Sequence, residues 1–143
     1  MIRSGLWHGG APGRKPGEDL LPPSVTGLER TSAALSLQSG LGDIAHRRDR
    51  VYLTSDRELA KVWAGQWCNT VGQVGYGWLY RISADEDVLE PDDDLLSLPG
   101  LSFQAPRARV DSVYAKAVSP NQPGFARTLQ RVLRDLESAK RRP

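Results

Sequence analysis

Helical periodicity is confined to two stretches of this chain, and this limits the possible folds more than any other feature of the sequence. In residues 56–67, Leu59, Val62 and Trp63 recur at helical spacing. The second stretch lies within residues 120–143 and leaves arginines on its opposite face. Its apolar residues are Phe125, Leu129, Val132, Leu133 and Leu136. We therefore predict one internal helix and one basic, amphipathic C-terminal helix.

The first helix also has a start signal. Ser55 is followed three residues later by Glu58, which is the spacing of a capping box. We therefore predict that Ser55 caps this helix.

Four short segments have the composition and alternation of strands, and they lie outside the helical stretches. They are residues 5–8, Val51–Thr54, 78–83 and 108–118. Prolines and glycines between residues 9 and 23 predict a long loop after the first strand. Because strands and helices do not alternate as a doubly wound parallel sheet requires, the sequence predicts an α+β fold. A chain of 143 residues fits a single domain spanning residues 1–143.

Composition narrows the class of protein. Hydrophobic residues make up 39% of the chain and charged residues 25%, which is ordinary for a globular protein. There is no apolar stretch long enough to cross a bilayer and no signal-like apolar segment near Met1, so we expect a cytoplasmic protein with no membrane partner. The lone Cys68 excludes an internal disulfide, and with only two histidines and one cysteine we expect no metal site.

Charge is unevenly distributed although the net charge is only +2. Seven acidic residues lie between residues 85 and 94, whereas basic residues dominate after residue 122. The simplest interpretation is a solvated loop and a solvated helix face. The alternative is that the basic helix binds nucleic acid, which a net charge this small supports weakly.

Three elements could carry chemistry, each with a plainer alternative. His8 precedes two glycines that let a ligand approach the backbone, but it could simply bond a neighbouring carbonyl. Tyr52 could offer its ring to a ligand, with Thr54 on the same side of the strand, or it could pack in the core. A carboxylate from the acidic segment could stabilise an oxocarbenium-like transition state, or it could be solvated.

Taken in order, these segments resemble the H-Y-[D/E] class of ADP-ribosyltransferases, and within it the small rifampin ADP-ribosyltransferases. The likeness runs through most of residues 5–118. It rests on residues 6–10 (LWHGG), 17–22 (GEDLLP), 51–54 (VYLT) with the helix that follows, 88–93 (VLEPDD) and 99–103 (PGLSF). The resemblance implies split antiparallel β-sheets with a few flanking helices and a C-terminal helix.

The resemblance also implies NAD⁺ as co-substrate and assigns residues to it. His8 would hydrogen-bond the nicotinamide-side ribose, and the Gly9 backbone would hold the carboxamide. Tyr52 would stack on the nicotinamide ring, with Thr54 and Trp63 lining the same site.

The third residue of the motif would be an acid. We expect Asp92, which follows the 78–83 strand in an acidic turn, to be this catalytic residue. Glu90 and Asp93 remain alternatives, because a shift of register exchanges them.

The chain also departs from the rifampin-modifying pattern. Gly10 stands where that group has threonine, Gln104 stands where those enzymes commonly have arginine, and the segment at residues 100–104 is shorter. These departures bear on the acceptor more than on NAD⁺.

We therefore expect a mono-ADP-ribosyltransferase that modifies a small molecule such as a rifamycin, or a macromolecule in a toxin-like bacterial role with an antitoxin as partner. The alternatives are an inactive module that binds NAD⁺ or another nucleotide, and a nucleic-acid-binding module.

Overall fold

The computed structural model describes residues 1–22, 50–69, 71–91 and 101–140. Within these ranges the chain forms seven strands and two α-helices, which confirms the α+β class. In chain order they are β1 (Ile2–Gly10), β2 (Asp19–Leu20), β3 (Val51–Thr54), α1 (Arg57–Gly65), β4 (Trp78–Asp85), β5 (Glu90–Pro91), β6 (Ser102–Ala105), β7 (Ala108–Ala115) and α2 (Phe125–Lys140).

The strands form one sheet in the order β2-β7-β4-β1-β3-β6-β5, and every pairing is antiparallel. β1 pairs with β4 along most of its length, from Ile2 to Gly10. In contrast, β1 and β3 share a single registered pair, Trp7 with Thr54. We call this junction the β1–β3 seam. It divides the sheet into a four-stranded part and a three-stranded part.

One face of the sheet buries the main core. Its centre is made of apolar side chains from both sides of the seam. They are Leu6, Val51, Leu53, Tyr80, Ile82, Ala84, Ala105 and Val110, together with Leu20 and Ala108. Both parts of the sheet therefore share one core although few backbone pairs join them.

The opposite face carries α1, which approaches the sheet closely at Gly9. A Cβ added to Gly9 would lie 2.0 Å from the carbonyl oxygen of Ala60 and 2.6 Å from the backbone nitrogen of Ala64. Ala60 and Ala64 also pack with Leu79 of β4. Only a residue without a side chain fits at position 9, and this sets the distance between helix and sheet.

The second helix, α2, packs on α1. Leu59 and Val62 of α1 contact Leu129 and Val132 of α2, which confirms the helical spacing predicted for both segments. Neither helix of the described residues is long and apolar enough to span a membrane.

Element boundaries differ from those predicted, most clearly at the start of α1. The N-cap is Asp56 and not Ser55, because the Asp56 carboxylate accepts hydrogen bonds from the backbone N–H groups of Glu58 and Leu59. The prediction that Ser55 is the cap was therefore wrong by one residue. The helix also ends at Gly65, short of the predicted residue 67.

Candidate functional site

The imidazole of His8 bridges the β1–β3 seam. His8 directly follows Trp7, the last residue of β1 that is in register with β3. Its Nδ1 lies 2.8 Å from the backbone oxygen of Tyr52. Because a carbonyl can only accept, Nδ1 carries the proton and Nε2 is the lone-pair nitrogen in the neutral ring. The side chain thus occupies the opening where backbone pairing stops.

The second ring nitrogen of His8 is available to a ligand. Within the described part of the chain, Nε2 has no hydrogen-bond partner. It lies over Gly10, where an added Cβ would come within 2.6 Å of Nε2. Any side chain at position 10 would therefore displace the ring, so the glycine and the ring position depend on each other.

His8 is neutral near pH 7. Burial lowers its pKa below the usual 6.5, the hydrogen bond to the Tyr52 carbonyl opposes that shift, and the nearby Arg14 charge adds to it. A neutral imidazole whose Nδ1 donates to a carbonyl presents Nε2 as an acceptor, which suits a hydroxyl donor such as a ribose.

Aromatic side chains of β4 pack beside His8. The Tyr80 ring lies roughly parallel to the imidazole, with centroids 6.2 Å apart and an interplanar angle of 25°. Trp78 follows at 6.2 Å from Tyr80, and the Lys116 ammonium lies 5.0 Å from the centroid of Trp78. These rings form an aromatic row on the same face of the sheet as His8.

Tyr80 was not identified from the sequence, where it is one member of an alternating strand. Its buried hydroxyl donates to the Ala11 carbonyl (2.6 Å) and accepts from the Arg14 backbone N–H (3.1 Å). Burial raises the pKa of Tyr80 to about 12, so the hydroxyl stays protonated. The phenol therefore fixes the loop that follows His8. A partner 69 residues away leaves no signal in the local sequence.

Cationic groups also lie on this side of the molecule. Arg14 is close enough to lower the pKa of His8, and its guanidinium lies 3.5 Å from a Glu18 carboxylate oxygen. Lys116 places positive charge beside Trp78 at one end of the aromatic row, whereas Glu18 offsets the Arg14 charge near His8.

Tyr52 is adjacent to His8 through its backbone, but its ring projects from the other face of the strand. Direct cross-strand pairs align Tyr52 with Gln104, and Gln104 with Glu90. Tyr52 is 6% exposed and Gln104 1%. The structure thus joins His8 to Tyr52 across the seam and lines up Tyr52, Gln104 and Glu90 across three strands, since paired residues share a face.

Of the three acids considered, Glu90 lies within the residues that the structure describes, and its side chain is exposed. Its carboxylate accepts a hydrogen bond from Arg50 Nε at 3.1 Å. Asp92 and Asp93 lie outside the described residues. Asp92 therefore stays a prediction. No group of three or more metal-ligating side chains occurs among the residues that the structure describes.

The remaining predicted ligand residues have clear structural contacts. The Thr54 hydroxyl donates to the Leu101 carbonyl (2.6 Å) and accepts from the Asp56 N–H (2.9 Å). Trp63 packs against the cluster between α1 and α2, and Gly9 lies under α1. Their contact with NAD⁺ stays a prediction.

No model of a known protein family matches this chain, and no curated protein matches it significantly. The function must therefore be argued from the site itself.

Proposed function

We propose that this chain is a mono-ADP-ribosyltransferase that binds NAD⁺ at the β1–β3 seam. The observation that carries the proposal is the His8 imidazole, which is held by the Tyr52 carbonyl while Nε2 faces no protein partner among the described residues. Gly10 leaves room for the ring in this position, since an added Cβ would come within 2.6 Å of Nε2. Nε2 would accept a hydrogen bond from a hydroxyl of the nicotinamide-side ribose.

The seam offers NAD⁺ contacts from both parts of the sheet. Because Trp7–Thr54 is the one registered pair between β1 and β3, a ligand that opens the seam beside it would reach His8 on one face and Tyr52 on the other. The Tyr52 ring is 6% exposed, so stacking on nicotinamide requires the seam to open further. Lys116 would attract the pyrophosphate to the side that carries the aromatic row.

A divided antiparallel sheet also agrees with the split-sheet architecture that the resemblance implies. The single registered pair at the seam supports this finer assignment within the α+β class.

The proposed reaction breaks the C–N bond between ribose and nicotinamide. The bonding electrons leave with neutral nicotinamide, and positive charge develops on the ribose. A carboxylate near the ribose stabilises this charge only as it forms, so it favours the transition state over bound NAD⁺. Asp92 is the proposed carboxylate, with Glu90 and Asp93 as alternatives. The acceptor nucleophile then bonds to the anomeric carbon and loses a proton.

Nicotinamide release from NAD⁺ tests this function. We expect turnover by the full chain, a loss of about tenfold or more in kcat/KM for His8→Ala, and a loss mainly in kcat for Asp92→Asn. Glu90→Gln and Asp93→Asn identify the acid if Asp92→Asn keeps activity. Asp87→Asn is the matched control, because Asp87 is an exposed acid of the same segment.

Two results would contradict the proposal. The first is the absence of nicotinamide release with water, a rifamycin, protein or nucleic acid as acceptor. The second is turnover that His8→Ala leaves unchanged. NAD⁺ binding without release would instead support an inactive nucleotide-binding module.

A further inference from the structure

The first turns of α1 and α2 meet at an open cavity of about 610 Å³. We propose that this cavity binds the phosphate group of a small ligand. Its charged and hydroxyl-bearing lining residues are Asp56, Glu58, Arg127, Thr128, Arg131 and Arg134. The cavity shares no residue with the proposed NAD⁺ site.

The Thr128 hydroxyl is the observation that points to a ligand. Thr128 is 8% exposed and lines the cavity. Its backbone N–H donates to the Gly124 carbonyl (2.9 Å), but its hydroxyl has no hydrogen-bond partner among the described residues. Buried hydroxyl groups are normally paired, so a ligand oxygen in the cavity would supply the missing acceptor.

The first turn of α2 offers further donors. Gly124, which precedes the helix, has no side chain to cap it, and the backbone N–H groups of Ala126 and Arg127 have no acceptor within the described part of the chain. In contrast, the carboxylate of Asp56 caps α1. Because the N-terminus of a helix carries partial positive charge, the start of α2 is suited to an anion.

The acids of the lining are already paired. Asp56 uses one carboxylate oxygen to cap α1 and the other to form an ion pair with Arg131, so these two charges cancel. Glu58 lies 3.3 Å from Arg57, and these two charges also offset each other. Neither carboxylate is therefore left to neutralise a third arginine.

The charge of Arg127 remains. Arg127 forms no ion pair with a described carboxylate. The acids of α2 are Asp135 and Glu137, which lie about 12 and 15 Å further along the helix axis. They are close enough to offset Arg134 but not Arg127. Positive charge is therefore in excess around Thr128 and the first turn of α2.

These donors match a phosphate group better than a carboxylate. A guanidinium group binds two phosphate oxygens at once, helix N–H groups bind the same kind of anion, and a hydroxyl can donate to a third oxygen. A phosphomonoester has three free oxygens for these three kinds of donor, whereas a carboxylate has two. The cavity is also large enough for the organic part of a small ligand.

NMR titration of the ¹⁵N-labelled full chain with inorganic phosphate tests the site. Chloride keeps the ionic strength constant, and NAD⁺ is absent. We expect the amides of residues 124–128 to shift, and Arg127→Gln to weaken binding about fivefold or more. Thr128→Val removes the hydroxyl but keeps the shape of the side chain, and it should weaken binding about tenfold. Thr128→Ser should retain binding.

Two further variants separate a site from general attraction. Glu58→Gln removes an acid of the lining and should tighten phosphate binding about twofold. Arg107→Gln is the matched control, because it removes an exposed arginine from the turn between β6 and β7 and should leave binding unchanged. Thermal unfolding of each variant establishes that it is folded.

Comparison of inorganic phosphate, AMP and adenosine distinguishes the sources of the phosphate group. Tighter binding of AMP than of inorganic phosphate would support a phosphomonoester whose organic part occupies the cavity, whereas equal affinities would support a site for phosphate alone. Adenosine should not bind.

Three results would overturn the proposal. They are unchanged amides at residues 124–128 in millimolar phosphate, equal weakening by Arg107→Gln and Arg127→Gln, and adenosine that binds as tightly as AMP. Because NAD⁺ is absent from these assays, their outcome is independent of the proposed transferase activity.

Discussion

The two glycines that follow His8, Gly9 and Gly10, lack a side chain for different structural reasons. At Gly9 an added Cβ would meet the backbone of α1, which cannot move without displacing the helix. At Gly10 it would meet the end of one side chain, the His8 ring. Gly9 therefore sets the distance between two elements, whereas Gly10 sets the position of one functional group.

The dependence of His8 on Gly10 predicts coupling between the two residues. Gly10→Ala should displace the ring, break its bond to the Tyr52 carbonyl and cost about 1 kcal/mol of unfolding free energy. In a His8→Ala background the same change should cost far less, because no ring remains to be displaced. Urea unfolding of the four proteins measures the coupling. Equal costs in both backgrounds would show that the clash lies elsewhere.

The lowered pKa of His8 predicts a pH dependence of stability. Below the usual 6.5, the unfolded chain binds a proton that the folded His8 still excludes, so unfolding is favoured as pH falls. Stability from this residue is complete above pH 6.5 and decreases below it, until His8 in the folded protein is protonated too. NMR titration of the imidazole, with urea unfolding over the same pH range, checks this. His8→Asn should lack this component, and a His8 that titrates above 6.5 would refute it.

At the scale of elements, α1 is fixed at its first turn by one side chain. Asp56 caps the helix through one carboxylate oxygen and forms an ion pair with Arg131 of α2 through the other. Thr54 accepts from the Asp56 N–H and links the cap to β3. The end of β3, the start of α1 and the packing of α2 are thus joined at a single residue.

This arrangement predicts unequal effects of neighbouring substitutions. Asp56→Ala should destabilise the protein by about 1–2 kcal/mol, since it removes the cap and the partner of Arg131. Asp56→Asn should cost less, because an amide oxygen still caps the helix. Ser55→Ala should cost least. Thermal or urea unfolding ranks the three, and a larger loss for Ser55→Ala than for Asp56→Ala would restore Ser55 as the cap.

At the scale of the whole molecule, the number of backbone pairs differs greatly between neighbouring strands of the sheet. Two well-paired parts meet at the β1–β3 seam through one registered backbone pair, the His8–Tyr52 hydrogen bond and a shared apolar core. Core packing holds the parts together, while the backbone between them is nearly unpaired. Fewer registered backbone pairs join the sheet here than between any other two neighbouring strands.

Hydrogen exchange should reveal this difference. We expect amides of β3 and β6 to exchange faster than those of β4, which has a full partner on each side. NAD⁺, if it binds at the seam, should slow exchange in residues 8–10 and in β3, and leave β7 unchanged. Mass spectrometry of peptides from each strand measures both effects. Uniform protection across all strands would contradict a seam.

Local chemistry of the sequence was enough for both helices and for four of the seven strands, whereas β2, β5 and β6 were missed and β2 lies in the segment predicted to be a loop. Apolar spacing identified both helices, because the 3.6-residue period is a property of consecutive residues, and alternation identified the segments that became β1, β3, β4 and β7. The prediction that Ser55 caps α1 was wrong because it used the local pattern alone. Two adjacent residues, Ser55 and Asp56, can both cap a helix, and the choice depended on contacts with Thr54 and Arg131 that lie outside the local pattern.

Tertiary structure alone decided which residues meet. The partners of His8, Tyr80 and Thr54 lie 44, 69 and 47 residues away along the chain. No local period encodes pairs this distant; they follow from the order of strands in the sheet and from where α1 fits against Gly9. Sequence therefore determined that this chain would be an α+β domain with candidate functional groups on its strands. The antiparallel pairing, and the point at which it stops, determined that an imidazole would stand in the opening.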